Sequence, residues 1–286
     1  MIGKIIVFFF LTTSVLAYAV RYDKIISQLN DIQKQAPSKA LVMSLGENNN
    51  KDQILMLRIS NTPQIMDKNK IGMLVVGTHH GNEGETADII ISLAKYLLKS
   101  DLGYYEFYLI PVLNIPGYNS NSRNENGYDP NRDYPSPCKK EQSFYLKSTK
   151  ALDNLLDSRT FSGSVTLHGF IGTITYPWGV PTKDTQTQDH PYYVEITEKI
   201  SRIVKYDYGT STDLIYGANG CFEDYVYWKK GGWSLLFEIR DGSTIDISNN
   251  ALAILEFFKS VNQTPSVNYD FTGICEGYSY KFNRLE

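Results

Sequence analysis

One strand, a polar turn, a helix and a second strand follow each other directly, and this order most constrains the fold. The apolar run at residues 73–76 breaks at Gly77 into the turn THHGNEG. Apolar residues at helical spacing then cover 87–99, and a second strand pattern covers 106–113. Such alternation builds a sheet covered by helices, with the working loops at the C-terminal ends of the strands.

The same alternation continues on both sides of this unit. A helical pattern at 22–35 stops before Pro37, and strand patterns at 41–46 and 53–60 form a hairpin around three asparagines. Strands at 164–167 and 233–239 alternate with helices at 144–156, 191–204 and 249–261, while 114–138 has the Asn, Gly and Pro content of a long loop. We predict an α/β fold, a mixed β-sheet with helices on both faces, in a single domain of residues 20–286.

The turn after the first strand carries half of a metal site. His80 and Glu83 are spaced so that an imidazole and a carboxylate reach one ion, and His168 ends a distant strand pattern. A catalytic zinc takes three protein ligands and leaves a fourth position open, so His80, Glu83 and His168 form a complete set for one zinc ion per chain. His79 is the competing ligand, and the alternative for Glu83 is a carboxylate that complements a helix N-terminus.

Composition argues against a nucleic-acid function, and the N-terminal sequence predicts a location outside the cytoplasm. The net charge of −3 and a pI near 5.9 leave no basic face for nucleic acid. Lys4, an apolar run at 5–16 and an A-x-A ending at Ala19 predict a signal peptide of residues 1–19, hence a secreted or periplasmic protein without a stable membrane span; an uncleaved anchor is the alternative. Three cysteines permit at most one internal disulfide, and a Cys138–Cys275 bond is left open.

Three further motifs follow the histidine turn in a fixed order. They are RNENGYDPNRDYP at 123–135, LHGFIGTITYPWG at 167–179 and LLFEIRDG at 235–242. Together with the turn they resemble the M14 zinc metallocarboxypeptidases over nearly the whole chain after residue 20, with closest similarity to the branch of carboxypeptidases E, N and D. The resemblance implies a monomeric zinc exopeptidase acting on peptides with a free C-terminal carboxylate. The short sequence after Glu238 predicts that the small β-domain of that branch is absent.

The resemblance also implies a role for each matching residue. Arg123 stabilises the oxyanion that develops on the scissile carbonyl. Asn131 and Arg132 hold the substrate C-terminus through charge-assisted hydrogen bonds, and the Tyr216 hydroxyl closes over it. Glu238 is the general base that takes a proton from water and passes it to the leaving amine.

Specificity is predicted from the segment that follows Tyr216. The family register places Glu223 at the base of the pocket for the leaving residue, which favours a cationic Lys, Arg or diaminopimelate side chain. Gly179 argues against this preference, because the related branch has an aspartate there; the alternative is that Glu223 faces solvent or pairs with Lys229 or Lys230. Two other functions stay open: a secreted, non-catalytic peptide-binding protein on the same scaffold, and an aspartoacylase-like deacylase, which also shows H-G-N-E.

Overall fold

The computed structural model describes residues 21–139, 142–183, 186–261, 271 and 273–275. Within these residues, eight strands form one sheet. The strands are β1 Ala40–Glu47, β2 Gln53–Ile59, β3 Ile71–Val76, β4 Tyr105–Ile110, β5 Phe161–Gly169, β6 Thr173–Tyr176, β7 Asp207–Thr210 and β8 Trp233–Ile239. Their spatial order is β1-β2-β4-β3-β5-β8-β6-β7.

Helices separate most of these strands. They are α1 at 21–35, α2 Glu85–Lys99, α3 Ile115–Ser120, α4 Lys147–Ser158, α5 His190–Val204, α6 Ser211–Leu214, α7 Phe222–Tyr225 and α8 Thr244–Ser260. A 3-10 turn covers Pro130–Arg132, and a π-helical turn covers Val226–Lys230. Helix α8 packs against both α2 and α5, so these three helices form one layer.

The central strands run in the same direction. Strand β3 is parallel to β4 and to β5, and β5 is parallel to β8. The outer pairs β1 with β2, β2 with β4 and β6 with β8 are antiparallel. The sheet is therefore mixed, as predicted, and the C-terminal ends of β3, β5 and β8 lie side by side at one edge.

The centre of the sheet is covered on both faces. Successive strand residues point to opposite faces, and consecutive residues of β3 and β5, such as Val75 with Val76 and Thr166 with Leu167, are all fully buried. Strands buried on both faces need helices or loops on each side. The predicted α/β class with helices on both faces is confirmed.

Two predictions about local structure are wrong. The loop expected at 114–138 contains helix α3, because the Asn114 side chain accepts a hydrogen bond from the Gly117 amide at 2.8 Å and Pro116 suits a first helical turn. The strand expected at 106–113 ends at Ile110, because Pro111 has no amide hydrogen to donate to a neighbouring strand. Strands β6 and β7 were not predicted at all.

The cysteines and the two ends of the chain are the remaining features of the fold. Cys138 and Cys275 form a disulfide, and Cys221 is a buried free thiol. The predicted signal peptide at 1–19 lies outside the described residues, as do most residues after Val261. No helix in the described part of the chain has both the length and the apolar character needed to cross a membrane.

Candidate active site

The turn that follows β3 is shaped by close contact with helix α3. A side chain on Gly81 would place its Cβ only 1.9 Å from the carbonyl carbon of Gly117, so no other residue fits there without moving the backbone. Thr78 adopts a left-handed φ of 53°. The Thr86 hydroxyl holds it in place, because that oxygen lies 3.0 Å from the amide nitrogen of Thr78 and 3.0 Å from the hydroxyl oxygen of Thr78. These contacts direct His80 and Glu83 toward the ends of β5 and β8.

Three donor atoms converge at this edge of the sheet. The Nδ1 atom of His168 lies 3.1 Å from Nδ1 of His80 and 3.0 Å from Oε2 of Glu83, and Nδ1 of His80 lies 2.9 Å from Oε1 of Glu83. Donors about 2.0–2.1 Å from one tetrahedral zinc are separated by roughly 3.3 Å, so the observed spacing fits that ion within a few tenths of an ångström. The three residues are buried, and they form the one such donor cluster found in the described chain.

Two of the three donor residues are held in the protonation state that binds a metal ion. Burial alone would raise the pKa of Glu83, but the neighbouring His168 and His80 lower that pKa to about 2. Burial together with the proximity of His80 lowers the pKa of His168 to about 4. At neutral pH the cluster therefore offers an ionised carboxylate and a neutral His168 imidazole, which are the forms that bind metals.

His79 does not join the donor cluster. Its Nδ1 atom lies 2.9 Å from the Thr166 hydroxyl and its Nε2 atom lies 2.9 Å from the Tyr134 hydroxyl. Both ring nitrogens therefore have partners away from Glu83. Burial and the neighbouring His168 hold the pKa of His79 well below its ordinary value, so the ring is neutral.

Glu238 lies beside the cluster on the adjacent strand. It is the register partner of His168, and its Oε2 atom has no hydrogen-bond partner among the described residues. The nearby Arg240 does not pair with it, because Arg240 donates instead to the Lys205 carbonyl at 2.7 Å. Burial and the charge of Glu83 raise the pKa of Glu238 to about 7. Such a carboxyl group can exchange a proton near neutral pH.

A carboxylate that the sequence did not reveal joins two parts of the site. Asp129 accepts from Nε2 of His80 and from the Asn131 amide through Oδ1, at 3.1 and 2.9 Å. Its Oδ2 atom accepts from Nε and Nη2 of Arg123 at 2.9 and 2.8 Å. Burial opposes ionisation, but the hydrogen bond from His80 and the charge of Arg132 hold the pKa of Asp129 well below its ordinary value. Asp129 therefore orients both a donor residue and a neighbouring guanidinium.

The predicted substrate-binding residues occupy the other side of the same pocket. Nη2 of Arg132 donates to the Tyr216 hydroxyl at 3.1 Å, and Tyr216 is half exposed at the pocket rim. Asn131 is buried, and its Oδ1 accepts from the Phe222 amide at 2.8 Å. Nη1 of Arg132 also donates to the Asn131 carbonyl at 2.6 Å. The pocket brings together all nine predicted site residues: His80, Glu83, Arg123, Asn131, Arg132, His168, Tyr216, Glu223 and Glu238.

Glu223 lines this pocket but is itself almost fully buried. It is 1% exposed, and its Oε2 atom has no hydrogen-bond partner in the described chain. Lys230 pairs with Asp153 and Asp157, and Lys229 stacks on Trp228, so the pairing and solvent alternatives for Glu223 do not hold. Burial raises the pKa of Glu223 above its ordinary value. A cation in the pocket would stabilise its ionised form.

Comparison with known proteins identifies the family. A sequence model of the zinc carboxypeptidases matches residues 25–263. The chain belongs to the zinc carboxypeptidase family. Human carboxypeptidase O is 28% identical over 176 residues, which cover 49% of this chain and 46% of that protein. Human carboxypeptidase D is 24% identical over 169 residues, which cover 52% of this chain and 12% of that protein. The chain thus spans less than half the length of these two relatives.

The same fold is known from a solved carboxypeptidase structure. Carboxypeptidase A from Helicoverpa armigera superposes with a TM-score of 0.70 at 17% identity, covering 84% of this chain and 72% of that chain. At this identity the superposition supports the fold alone. The fold agrees with the mixed eight-stranded sheet described above.

Two residues at the site were not among the residues predicted from the sequence. Asp129 directly precedes Pro130 and lies two residues before Asn131, a position from which an aspartate side chain commonly bonds a nearby backbone amide. Thr166 lies two residues before His168 on β5 and so points to the same face of the sheet. Its hydroxyl is 3.2 Å from Nε2 of His168. Both positions could have been suspected from local spacing, but their contacts depend on distant segments.

Proposed function

We propose that this protein is a zinc-dependent exopeptidase that removes the C-terminal residue of peptides. One observation carries the proposal: a single pocket contains the three-donor cluster, a half-buried Glu238 whose Oε2 atom has no hydrogen-bond partner among the described residues and, at its rim, the hydrogen-bonded pair of Arg132 and Tyr216. An exopeptidase needs a cation for the terminal carboxylate close to its reacting centre, and a guanidinium meets this need with directed hydrogen bonds.

Each of the predicted site residues has a distinct role in the proposed reaction. A zinc ion held by His80, Glu83 and His168 would supply a Lewis acid for the scissile carbonyl and lower the pKa of water. The Glu238 carboxylate takes a proton from the attacking water and returns it to the leaving amine nitrogen.

Two arginines act on two different groups of the substrate, the scissile carbonyl and the terminal carboxylate. Arg123 donates to the carbonyl oxygen as negative charge develops there. Arg132 holds the C-terminal carboxylate, and the Tyr216 hydroxyl covers it. Asn131 supports this arrangement from its buried position beside Arg132 and His168, where its Nδ2 lies 3.4 Å from Nε2 of His168.

The wider organisation forms part of the same proposal. We propose that residues 1–19 are a signal peptide, that residues 20–286 form a single catalytic domain with one zinc ion, and that the mature protein is a secreted or periplasmic monomer. The Cys138–Cys275 disulfide supports export, because such bonds persist mainly in oxidising compartments.

The leaving residue is proposed to be basic. Glu223 is a buried carboxylate on the pocket wall whose Oε2 atom has no hydrogen-bond partner among the described residues, and a Lys, Arg or diaminopimelate side chain would provide a cation for it. Gly179 lacks the second acid that the related branch carries, and its amide instead donates to Asp224 at 3.0 Å. The preference therefore depends on Glu223 alone.

End-product analysis tests the exopeptidase proposal. Matched peptides with free and amidated C-termini are incubated with the zinc-loaded protein, and the products are identified by mass spectrometry. Release of one terminal residue from the free peptide only is expected, and Arg132→Ala should raise KM for that peptide. Equal cleavage of both peptides would refute the proposal, and hydrolysis confined to N-acyl amino acids would identify a deacylase instead.

Metal analysis and specificity constants separate the remaining alternatives. Wild type should hold one zinc per chain, whereas His168→Ala should lose both zinc and turnover, because two ligands rarely retain catalytic zinc. Zinc and peptide binding without any turnover would indicate the non-catalytic binding protein. For specificity, kcat/KM is measured on peptides ending in Lys, Arg, Phe, Leu and diaminopimelate. A wild-type preference for Phe or Leu, or an unchanged Lys preference in Glu223→Gln, would show that Glu223 is not the selector.

A further inference from the structure

A continuous chain of buried polar side chains lies behind His168, on the side away from the donor cluster. Nε2 of His168 is 3.2 Å from the Thr166 hydroxyl, which is 2.9 Å from Nδ1 of His79. Nε2 of His79 is in turn 2.9 Å from the Tyr134 hydroxyl. All four side chains are at most 1% exposed. Burying a polar group this deeply costs free energy unless the group has a hydrogen-bond partner. The hydrogen bonds that link these four side chains are therefore strongly constrained.

The proton positions along this chain follow from the direction of the donor atoms. Nδ1 of His168 faces His80 and Glu83, so a metal ligand there needs its proton on Nε2. Asn131 cannot accept that proton. Its Oδ1 is already engaged by the Phe222 amide, so its Nδ2, which is itself a donor, faces the ring. Among the described residues that contact this nitrogen, the Thr166 hydroxyl is left as the acceptor.

The remaining two hydrogen bonds then have one consistent direction. The single proton of the Thr166 hydroxyl donates to Nδ1 of His79. His79 therefore carries its proton on Nε2 and donates it to the Tyr134 oxygen. The reverse direction would place a proton on Nδ1 of His168, where it would point at the metal position. The direction of the chain and the ability of His168 to bind metal are thus linked.

Packing fixes the plane of the rings as well. The rings of His79 and His168 stack at 5.6 Å with an interplanar angle of 21°, and Tyr134 packs edge-on against His79 at 5.9 Å. The His79 ring also lies 5.4 Å from the ring of Phe222, the residue whose amide donates to Asn131. Rotation of the His168 ring would break these contacts.

We propose that Thr166 and His79 are positioning residues that hold His168 as the Nε2-protonated tautomer, with Nδ1 free for the metal. The inference rests on the zinc-binding part of the proposed function, but it does not depend on the peptidase reaction. Groups that orient a metal-bound histidine commonly contribute 10–100-fold to metal affinity. Thr166→Val removes the hydroxyl with little change of shape, so zinc binding should weaken by about that factor.

The first measurement uses wild-type protein alone. In zinc-loaded protein labelled with ¹⁵N-histidine, NMR should show His79 and His168 as neutral rings, each protonated on Nε2. A spectrum in which His79 carries its proton on Nδ1 would overturn the proposal, because the chain would then run in the wrong direction. This result needs no variant and no turnover.

The second measurement is zinc affinity by chelator competition. Thr166→Val should raise the zinc dissociation constant about 10–100-fold, and Thr166→Ser, which keeps the hydroxyl, should stay within about threefold of wild type. His79→Phe keeps a stacked ring but removes the acceptor and should weaken zinc binding about tenfold, whereas His79→Asn, which keeps an acceptor near Nδ1, should weaken it less. Thr197→Val is the matched control, because it removes a buried hydroxyl on α5 that, among the described residues, donates to the backbone carbonyls of Tyr193 and Val194.

The outcomes separate this inference from the proposed function. Wild-type zinc affinity in Thr166→Val and His79→Phe would overturn the positioning role while leaving the zinc enzyme intact. Equal weakening in Thr197→Val would show a general loss of packing and would also overturn the role. Absence of zinc binding in wild type would overturn both. Zinc binding without peptidase activity, with the expected variant series, would support the positioning role and contradict only the exopeptidase proposal.

Discussion

Replacing Asp129 by asparagine separates metal binding from oxyanion stabilisation within one side chain. Oδ1 of Asp129 accepts from His80 and from the Asn131 amide, whereas Oδ2 accepts two bonds from Arg123. An asparagine will direct its oxygen toward His80 and Asn131, because both supply donors. Its NH₂ group then faces the guanidinium of Arg123, where two donors meet and no hydrogen bond forms.

The two bonds set the size of the expected effect. A hydrogen bond to a charged group contributes about 1.5–3 kcal/mol, and the 41% exposure of the Arg123 side chain reduces this by solvent screening. We therefore assign the whole Arg123–Asp129 contact about 1.5–3 kcal/mol. At 1.4 kcal/mol for each factor of ten, kcat/KM should fall roughly 10–100-fold through loss of Arg123 positioning.

Zinc affinity provides the contrast. Asp129→Asn keeps an acceptor for His80, so its zinc dissociation constant should rise by less than about tenfold, whereas Asp129→Ala should weaken zinc by about 10–100-fold. The assay is chelator competition together with kcat/KM on the same preparations at saturating zinc. Asp157→Asn, which alters an exposed partner of Lys230, is the control. Equal zinc loss in the asparagine and alanine variants, or full activity in Asp129→Asn, would refute this division of labour.

Three further predictions concern single carboxylates. Glu238→Gln should keep full zinc content while kcat falls at least about 10²-fold, since only the base is removed; metal analysis and turnover on one preparation check this. Burial raises the pKa of Glu125 to about 7, so its stabilising contribution is complete below about pH 4.5 and is lost as pH rises through 7. Glu125→Gln should therefore gain up to about 3 kcal/mol relative to wild type between pH 5 and 8 in urea unfolding, with exposed Glu195→Gln showing no such gain. Glu106→Gln leaves Arg58 and Arg159 without their shared partner and should lower the unfolding free energy by about 3–5 kcal/mol; a change below 1 kcal/mol would contradict it.

The sequence predicted the elements that have a long apolar pattern and missed those that do not. Strand β8 at Trp233–Ile239 has the predicted bounds, because its seven residues are mostly apolar and buried on both faces. Strands β6 and β7 have four residues each, too few for a period to be recognised. They form because β6 pairs with β8 and β7 pairs with β6, a tertiary cause that local sequence does not contain.

The site was predictable where chemistry depends on residue type and spacing. His80 and Glu83 are three residues apart in one turn, and their convergence with His168 follows from neighbouring strand ends. The contact of Asp129 with His80 joins segments 49 residues apart, and the contact of Thr166 with His79 joins segments 87 apart. The first contact depends on the path of the loop between α3 and α4, and the second depends on the pairing of β3 with β5, so composition and periodicity do not reveal them.

The charged residues of the pocket suit a metal ion and a substrate with a charged terminal residue. The pKa of Glu83 is about 2, so this carboxylate is ionised and attracts a cation to the donor cluster. Burial raises the pKa of Glu223, so its charge is costly until a cationic side chain arrives. Arg132 presents the opposite charge at the pocket rim and would pair with a terminal carboxylate. A C-terminal lysine or arginine carries both complementary charges, whereas a neutral residue would satisfy Arg132 and offer no cation to Glu223. For a peptide with a free carboxylate, discrimination between terminal side chains would therefore arise at Glu223, and the Glu223→Gln variant should lose it while retaining the requirement for a free C-terminus.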